Sequence, residues 1–524
     1  MRIVSIYAGH DANVSFYNSK TQRYHVIELE RLVKKRYFRL HVDNSGEQIE
    51  SLLRQCKDIA INNWQFDGFD AVAIAADGGI NDVSILSRVF ETQNIYMVGK
   101  HHECHATSAF YQSPFYESII FSFDGGGSDG FFNIYYGSRS NVQLIENVKS
   151  DFGGGYLLCA SILKEISEKS RHQLSLAGKM MGLCAYGSPR ESLLPHFRDF
   201  FFDRDYQKLS KLTGLSLLNS EDPWKNPMAN AKFDKQEAYD LAATAQKAFE
   251  EAFISVFTEI VKKFPNYPVI ITGGGGLNVL LNERIRNEFG VKVFVPPNPN
   301  DCGLSLGALF SMTRPQERVN VTYNGIPLLD KGSLGEIVER RGARKTTAAE
   351  TARLLKEGKI IGFVYGDSEV GPRALGNRSI VCDPSILEMK DILNSKVKFR
   401  EWYRPFAPFC KLEDAPRYFE TRDYSNLEYM GFAPRVKDEY KNLLPSITHA
   451  DGTSRLQTVT SDSHKKFYEL LTEFSKISRH GVLLNTSFNI RGLPILTTIE
   501  DALYVLDNTE LDYVVVEDYI FAKK

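Results

Sequence analysis

The chain has 524 residues, with 63 Lys+Arg against 65 Asp+Glu, a formal net charge of −2, 43% hydrophobic and 24% charged residues. These proportions are those of a folded globular protein, and they exclude a disordered, collagenous or membrane-embedded chain. The length sets a prior of two to four domains, and the balanced charge gives no overall signal for nucleic acid.

Taken in chain order, Arg2–Ala8 reads as a strand, Gly9-His10-Asp11 as a tight polar turn and Asn13–Tyr17 as a second strand. No signal peptide is expected, because MRIVSIYAGHDA meets polar residues too early. The shape recurs at SIIFSF (Ser118–Phe123), DGGGSDG and FFNIYYG. Asp234–Phe264 has helical periodicity through Leu241, Ala245, Phe249, Phe253 and Val256. The strand VIIT (Val269–Thr272) then enters Gly273–Gly276 and a helix, LNVLLNERIRNEFG. Regularity lapses between Pro315 and Gly342, which places a domain boundary near residue 340: residues 1–340, themselves bilobed, and residues 341–524. The second part opens with a helix at Thr347–Glu357 and the strand IIGFVYG, then alternates strands and helices. No apolar run is long enough to span a bilayer. The seven cysteines form no C-x-x-C pair, which argues against a disulfide framework or thiolate zinc. The expected compartment is the cytoplasm.

Three groups of residues carry chemistry. Glycines let backbone N–H groups approach phosphate oxygens, and the turns Asp124-Gly125-Gly126 and Gly273-Gly274-Gly275-Gly276 together with Gly9-His10-Asp11 describe the actin, sugar-kinase and heat-shock ATPase architecture; each turn alone equally suits a plain hairpin or a packed strand–helix crossing. His101 and His105, i and i+4 on a helix, share a face, and Asp301 is a candidate third ligand for iron, zinc or manganese. His10 suits a base on a hydroxyl, whereas Asp11 equally caps its own turn. In the second part Arg373, Arg378, Lys398, Arg400, Arg404, Arg455 and Arg491 sit among Gly, Pro and aromatic residues, the pattern of loops that bind an anionic small ligand.

On these residues the sequence resembles the ATP-dependent O-carbamoyltransferases of nodulation-factor and antibiotic biosynthesis. The strings AGHDAN, HHECHATSAFYQSPF, FSFDGGGSDG, GKMMGLCAYG, ITGGGGLN, PPNPNDCGLSLGALF, GPRALGNRSIVCDP, REWYRPFAP, HADGTSRLQTV and LLNTSFNIRGLPI run in family order. The resemblance implies an α/β chain. Its first part is an actin-like domain similar to the threonylcarbamoyladenosine transferase, and its second a YrdC-like domain that forms carbamoyl-adenylate. It implies ATP with magnesium, carbamoyl phosphate as co-substrate, and a metal, usually read as iron, on His101, His105 and Asp301. His10 matches the base, with Asp11 beside it. Asp124, Gly125, Gly126, Gly273–Gly276 and Asn278 fall in nucleotide-holding strings, as do Asn485 and Ser487, with Arg491 adjacent. Arg373, Arg378, Lys398, Arg400 and Arg404 match strings for carbamoyl phosphate and the adenylate phosphates, with Arg455 in HADGTSR. Three departures stand out: Asn13 where the family has a small hydroxyl, Cys184-Ala185 for Ala-Pro, and Gly275-Gly276 for Val-Ala.

The implied partner is a small hydroxyl acceptor, such as a sugar, a natural product or a modified nucleoside or nucleotide, with no membrane partner; a homodimer is compatible. Two other functions fit parts of the sequence. One is carbamoylation of a hydroxymethyl pyrimidine in a nucleotide or in DNA, which the basic run RLVKKRYFR (Arg31–Arg39) keeps open although a solvated loop explains that run as well. The other is a non-catalytic actin-like regulator.

Overall fold

The computed structural model describes residues 1–41, 44–76, 80, 82–168, 170, 172–203 and 233–523. Strand β1 (Arg2–Tyr7) pairs antiparallel with β2 (Asn13–Asn18), and β2 with β3 (Arg23–Glu28). On its other side β1 runs parallel to β4 (Ala71–Ala75), and β4 to β5 (Ile95–Val98). The order is β3-β2-β1-β4-β5. The next five strands, β6 (Glu117–Gly127), β7 (Gly130–Ser138), β8 (Asn141–Val148), β9 (Val269–Thr272) and β10 (Val293–Phe294), repeat that order and the same strand senses, as β8-β7-β6-β9-β10. The first part thus uses one five-strand unit twice.

The remaining strands form an eight-stranded mixed sheet. These are β11 (Arg344–Lys345), β12 (Ile361–Val364), β13 (Arg378–Cys382), β14 (Ala407–Lys411), β17 (Gln457–Val459), β18 (Val482–Ser487), β19 (Tyr513–Val516) and β20 (Tyr519–Ala522), in the order β11-β20-β19-β12-β13-β18-β14-β17. A separate two-stranded ladder joins β15 (Phe419–Glu420) to β16 (Arg435–Val436). The α/β fold class read from the sequence is the one observed.

Local sequence explains the elements that frame the site. Strands β1, β4 and β9 are near-continuous apolar runs because both sheet faces are covered. The periodic segment forms the helix Lys235–Lys263, which buries Leu241, Ala245, Phe249 and Phe253. Phe253 stacks on Phe132 of β7 with centroids 5.5 Å apart, and Phe257 lies 4.9 Å from Phe121 of β6. Asn278 caps the helix Val279–Phe289 by accepting the Leu281 N–H (3.1 Å), and Gly290 at φ +63° ends it. The helices His101–Gln112 and Leu304–Thr313 pack on each other where Gly307 meets the Cys104 backbone: a Cβ at 307 would lie 2.0 Å from the Cys104 carbonyl oxygen. Among the described residues no helix is long and apolar enough to cross a membrane.

Candidate active site and metal centre

The helix that follows β5 begins at His101 itself, so i and i+4 fall in its first turns. His101 Nε2 and His105 Nε2 lie 3.2 Å apart. Asp301 Oδ1 is 3.6 Å from the first and 3.3 Å from the second, and Asp124 Oδ2 is 3.3 Å from His105 Nε2. One ligand atom from each of the four residues lies within 4.8 Å of all the others. The three sequence candidates are thus together, and Asp124, placed in a nucleotide string, joins them as a fourth.

The residues fit a divalent cation. Asp301 Oδ1 is buried without a hydrogen bond, and two imidazole nitrogens turn toward the same point. Burial disfavours charge on His105, yet Asp124 and Asp301 outweigh it and raise its pKa to about 9, so the cluster already gathers positive charge. Two nitrogens and two carboxylates suit iron, zinc or manganese. His102 turns away, with Nδ1 to Ser122 Oγ (2.9 Å) and Nε2 to the Gly130 carbonyl (3.1 Å). Neither neighbouring thiol joins the cluster: Cys302 Sγ faces Asn300 Oδ1 (3.0 Å) and Cys104 Sγ the Val98 carbonyl (3.7 Å).

The glycine turns hold these ligands. The Asp124 carboxylate accepts the N–H of Gly125 (2.6 Å) and of Gly274 (2.7 Å), one from each turn. Gly273 sits at φ +84°, where a Cβ would lie 2.2 Å from the Phe123 carbonyl oxygen. A Cβ on Gly275 would be 1.9 Å from the Phe123 ring, so the departure from valine here accompanies that phenylalanine. A Cβ on Gly127 would fall 2.5 Å from His101 Cγ. Gly127→Ala should therefore displace the His101 ring and lower retained divalent metal by about tenfold or more, measured by elemental analysis after dialysis; unchanged metal content in the folded variant would remove this packing from the site's construction.

His10 stands at the edge of the cluster, with Nε2 3.2 Å from Asp301 Oδ2 and Nδ1 3.5 Å from Asp11 Oδ2. Burial disfavours its charged form, but Asp301 and Asp11 outweigh burial and raise its pKa to about 10. A cation on the neighbouring ligands would compensate the charge of Asp301 and so remove that preference for the protonated ring. Tyr7 Oη donates to the same Asp301 Oδ2 (2.7 Å). Asn13, another of the departures, donates from Nδ2 to the Asp301 carbonyl (2.8 Å) and accepts the Ser305 N–H (3.1 Å), fixing the backbone of a proposed ligand.

A cavity of about 710 Å³ runs from His10, Asp11, Asp124 and Asp301 to Arg373, Lys398, Arg400, Arg404, Arg455 and Arg491. Gly125, Gly274, Gly275, Asn278, Asn485 and Ser487 also line it, whereas Gly126, Gly273 and Gly276 do not. Lys398 Nζ donates to the carbonyls of Ser487 (2.5 Å) and Asn489 (2.6 Å). Arg400 donates to Asn394 Oδ1 (2.7 Å) and lies 4.5 Å over the Phe406 ring. Asn485 Nδ2 donates to the Ala374 carbonyl (3.0 Å) and to Gln457 Oε1 (2.7 Å). Among the described residues no carboxylate lies within salt-bridge distance of Arg373, Arg404 or Arg455, while Arg491 is 3.8 Å from Glu401. Burial and mutual repulsion push Arg373 down to about 10 and hold Lys398, Arg400 and Arg455 well below their ordinary values. Such a cluster gains most from an anion.

Arg378 does not reach this cavity. It is fully buried and donates to the carbonyls of Tyr365 (2.6 Å), Asn377 (2.9 Å) and Gly366 (2.9 Å), which folds the loop that presents Arg373. Conversely, Arg36 and Lys179 line the cavity and were missed. Arg36 lay in the run Arg31–Arg39, which carries no periodicity to show which side chains turn inward. Lys179 lay in GKMMGLCAYG, where a lysine among apolar residues was a usable signal; it pairs with Glu401 at 2.8 Å, both nearly buried.

Residues 13–310 match the family described as Carbamoyltransferase N-terminus, and residues 352–523 that described as Carbamoyltransferase C-terminus. Nodulation protein NolNO of Sinorhizobium fredii is 33% identical over 440 residues, 81% of this chain and 63% of that protein. This chain therefore spans less than two thirds of NolNO's own length. Nodulation protein NolO of Bradyrhizobium diazoefficiens is 32% identical over 443 residues, 81% of this chain and 79% of that protein. A crystal structure of full-length HypF in its phosphate- and nucleotide-bound form, 14% identical, superposes at a TM-score of 0.35 and covers 60% of this chain and 46% of that one. With both halves of the family matched in order, the chain belongs to the carbamoyltransferase family.

Proposed function

We propose that this chain is a cytoplasmic, ATP-dependent O-carbamoyltransferase that makes carbamoyl-adenylate and passes its carbamoyl group to the hydroxyl of a small molecule. One observation carries the reading: a single cavity is lined both by arginines that have no carboxylate within salt-bridge distance among the described residues and by His10 with Asp124 and Asp301 of the cluster. The division near residue 340 then separates two chemistries. By atom balance, ATP, carbamoyl phosphate and one water give carbamoyl-adenylate, pyrophosphate and orthophosphate. Arg373, Arg404 and Arg455 neutralise the phosphates, with Lys398 and Arg400 behind them. His10 faces the cavity from the cluster; with a cation on the cluster offsetting Asp301, its neutral ring would take the acceptor's proton. A divalent ion on His101, His105, Asp124 and Asp301 would supply Lewis acidity toward phosphate or carbamoyl oxygens.

His10→Ala should leave carbamoyl-phosphate-dependent exchange of pyrophosphate into ATP within about threefold of wild type and abolish carbamoyl transfer. Transfer is read by mass spectrometry of a metabolite and nucleoside panel incubated with ATP and carbamoyl phosphate. Loss of both activities would take His10 out of this role. The basic run does not decide for a DNA acceptor: Arg31 is buried, while the exposed Lys34, Lys35 and Arg36 also line the cavity.

A further inference from the structure

Between the two ends of the cavity lies a contact that neither chemistry uses. Glu28, the last residue of β3, and Arg31 form an ion pair at 3.0 Å with side chains only 7% and 2% exposed. Both reach across to the loop that carries Arg373. Arg31 donates to Ser368 Oγ (3.1 Å) and to the carbonyls of Glu369 (2.6 Å) and Gly371 (2.7 Å). Glu28 Oε1 accepts the Gly371 N–H (2.6 Å). Gly371, at φ +109°, is pressed on its other side against the loop that carries Asp301, since a Cβ there would lie 2.1 Å from the Pro297 carbonyl oxygen. The same β-ladder reaches Asp301 directly: Asn13 sits opposite Glu28 in the β2–β3 register, and its side chain donates to the Asp301 carbonyl.

We propose that Glu28 and Arg31 are positioning residues that clamp the Arg373 loop to the Asp301 loop, so that the activated carbamoyl group crosses the cavity without escaping to bulk water. The inference rests on the adenylation reading above. In transfer, the acceptor oxygen bonds to the carbamoyl carbon and the bond from that carbon to the AMP phosphate oxygen breaks. AMP leaves with the electron pair, and the hydroxyl proton goes to His10. Water in the acceptor's place gives AMP and carbamate instead, so a loosened clamp shows as AMP formed with no acceptor present.

The test compares wild type with Arg31→Met and with the double variant Glu28→Met/Arg31→Met. The double variant leaves no unpaired buried charge and so keeps the fold accessible. With ATP and carbamoyl phosphate alone, the ratio of AMP released to pyrophosphate exchanged should rise by about tenfold or more in both variants. A merely structural defect lowers the active fraction and leaves that ratio unchanged, which would overturn the proposal. Hydrogen exchange supplies the second readout: amides of residues 368–376 and of residues 296–303 should both speed up in the double variant while β12 does not. Acceleration confined to residues 368–376 would overturn the clamp. If wild type shows no carbamoyl-phosphate-dependent exchange, adenylation fails and the sealing role with it, while hydrogen exchange still decides whether the two loops are joined.

Discussion

Replacing Arg404 with methionine should lower carbamoyl-phosphate-dependent exchange of pyrophosphate into ATP by roughly 100- to 1,000-fold, the scale of removing one preorganised donor from a water-excluded site. The reason lies in what surrounds the side chain. Arg404 shares its end of the cavity with Arg373, Arg400 and Arg455, and no carboxylate forms a salt bridge with it among the described residues. Those like charges repel one another until an anion enters, so the cost of assembling them is repaid by phosphate rather than by the fold. A second outcome follows: Arg404→Met should match or exceed wild type in thermal stability, because a repulsive charge is gone. Activity lost together with stability would mean that Arg404 is structural. Exchange within threefold of wild type would mean that phosphate binds elsewhere.

The second large effect concerns the cluster of His101, His105, Asp124 and Asp301. Wild-type protein loaded with iron, zinc or manganese and then dialysed should keep about one ion per chain, and His101→Ala and His105→Ala should each lose essentially all of it. Asp124→Asn separates two readings of the same residue. As a ligand, its loss should lower metal retention; as a nucleotide residue alone, it should lower exchange and leave the metal in place. Metal retained by both histidine variants, or taken up by none of the three proteins, would refute the centre. The affinity should fall as the solution is acidified, because His105 then keeps the proton that its neighbouring carboxylates favour.

Much of the site was legible because its residues lie in short strings whose local geometry is forced. The helix start at His101 puts His105 on the same face, and the glycine turns follow from strands too apolar to be loops. What sequence could not supply was direction. Arg373 and Arg378 stand five residues apart in one string, but Arg378 opens β13 opposite Val364 and turns into the sheet's own backbone, while Arg373 remains on the loop and faces the cavity. The carboxylate of Asp124 is aimed by an amide 150 residues away, on Gly274. The join between Glu28, Arg31 and Gly371 spans some 340 residues of chain and leaves no periodic trace.

The repetition of one five-strand order has a consequence for how the centre is assembled. Each copy contributes the same two parts to the centre: its first hairpin, with His10 and Asp11 on the turn in one and Asp124 near the end of β6 in the other, and the start of its final helix, bearing His101 and His105 in one and following Asp301 in the other. The four ligands are therefore gathered where the two copies abut, at the contact of Gly307 with the Cys104 backbone. A substitution that separates that helix pair should disturb ligands from both copies at once, so the centre is built by the fit of one repeat against the other rather than by either repeat alone.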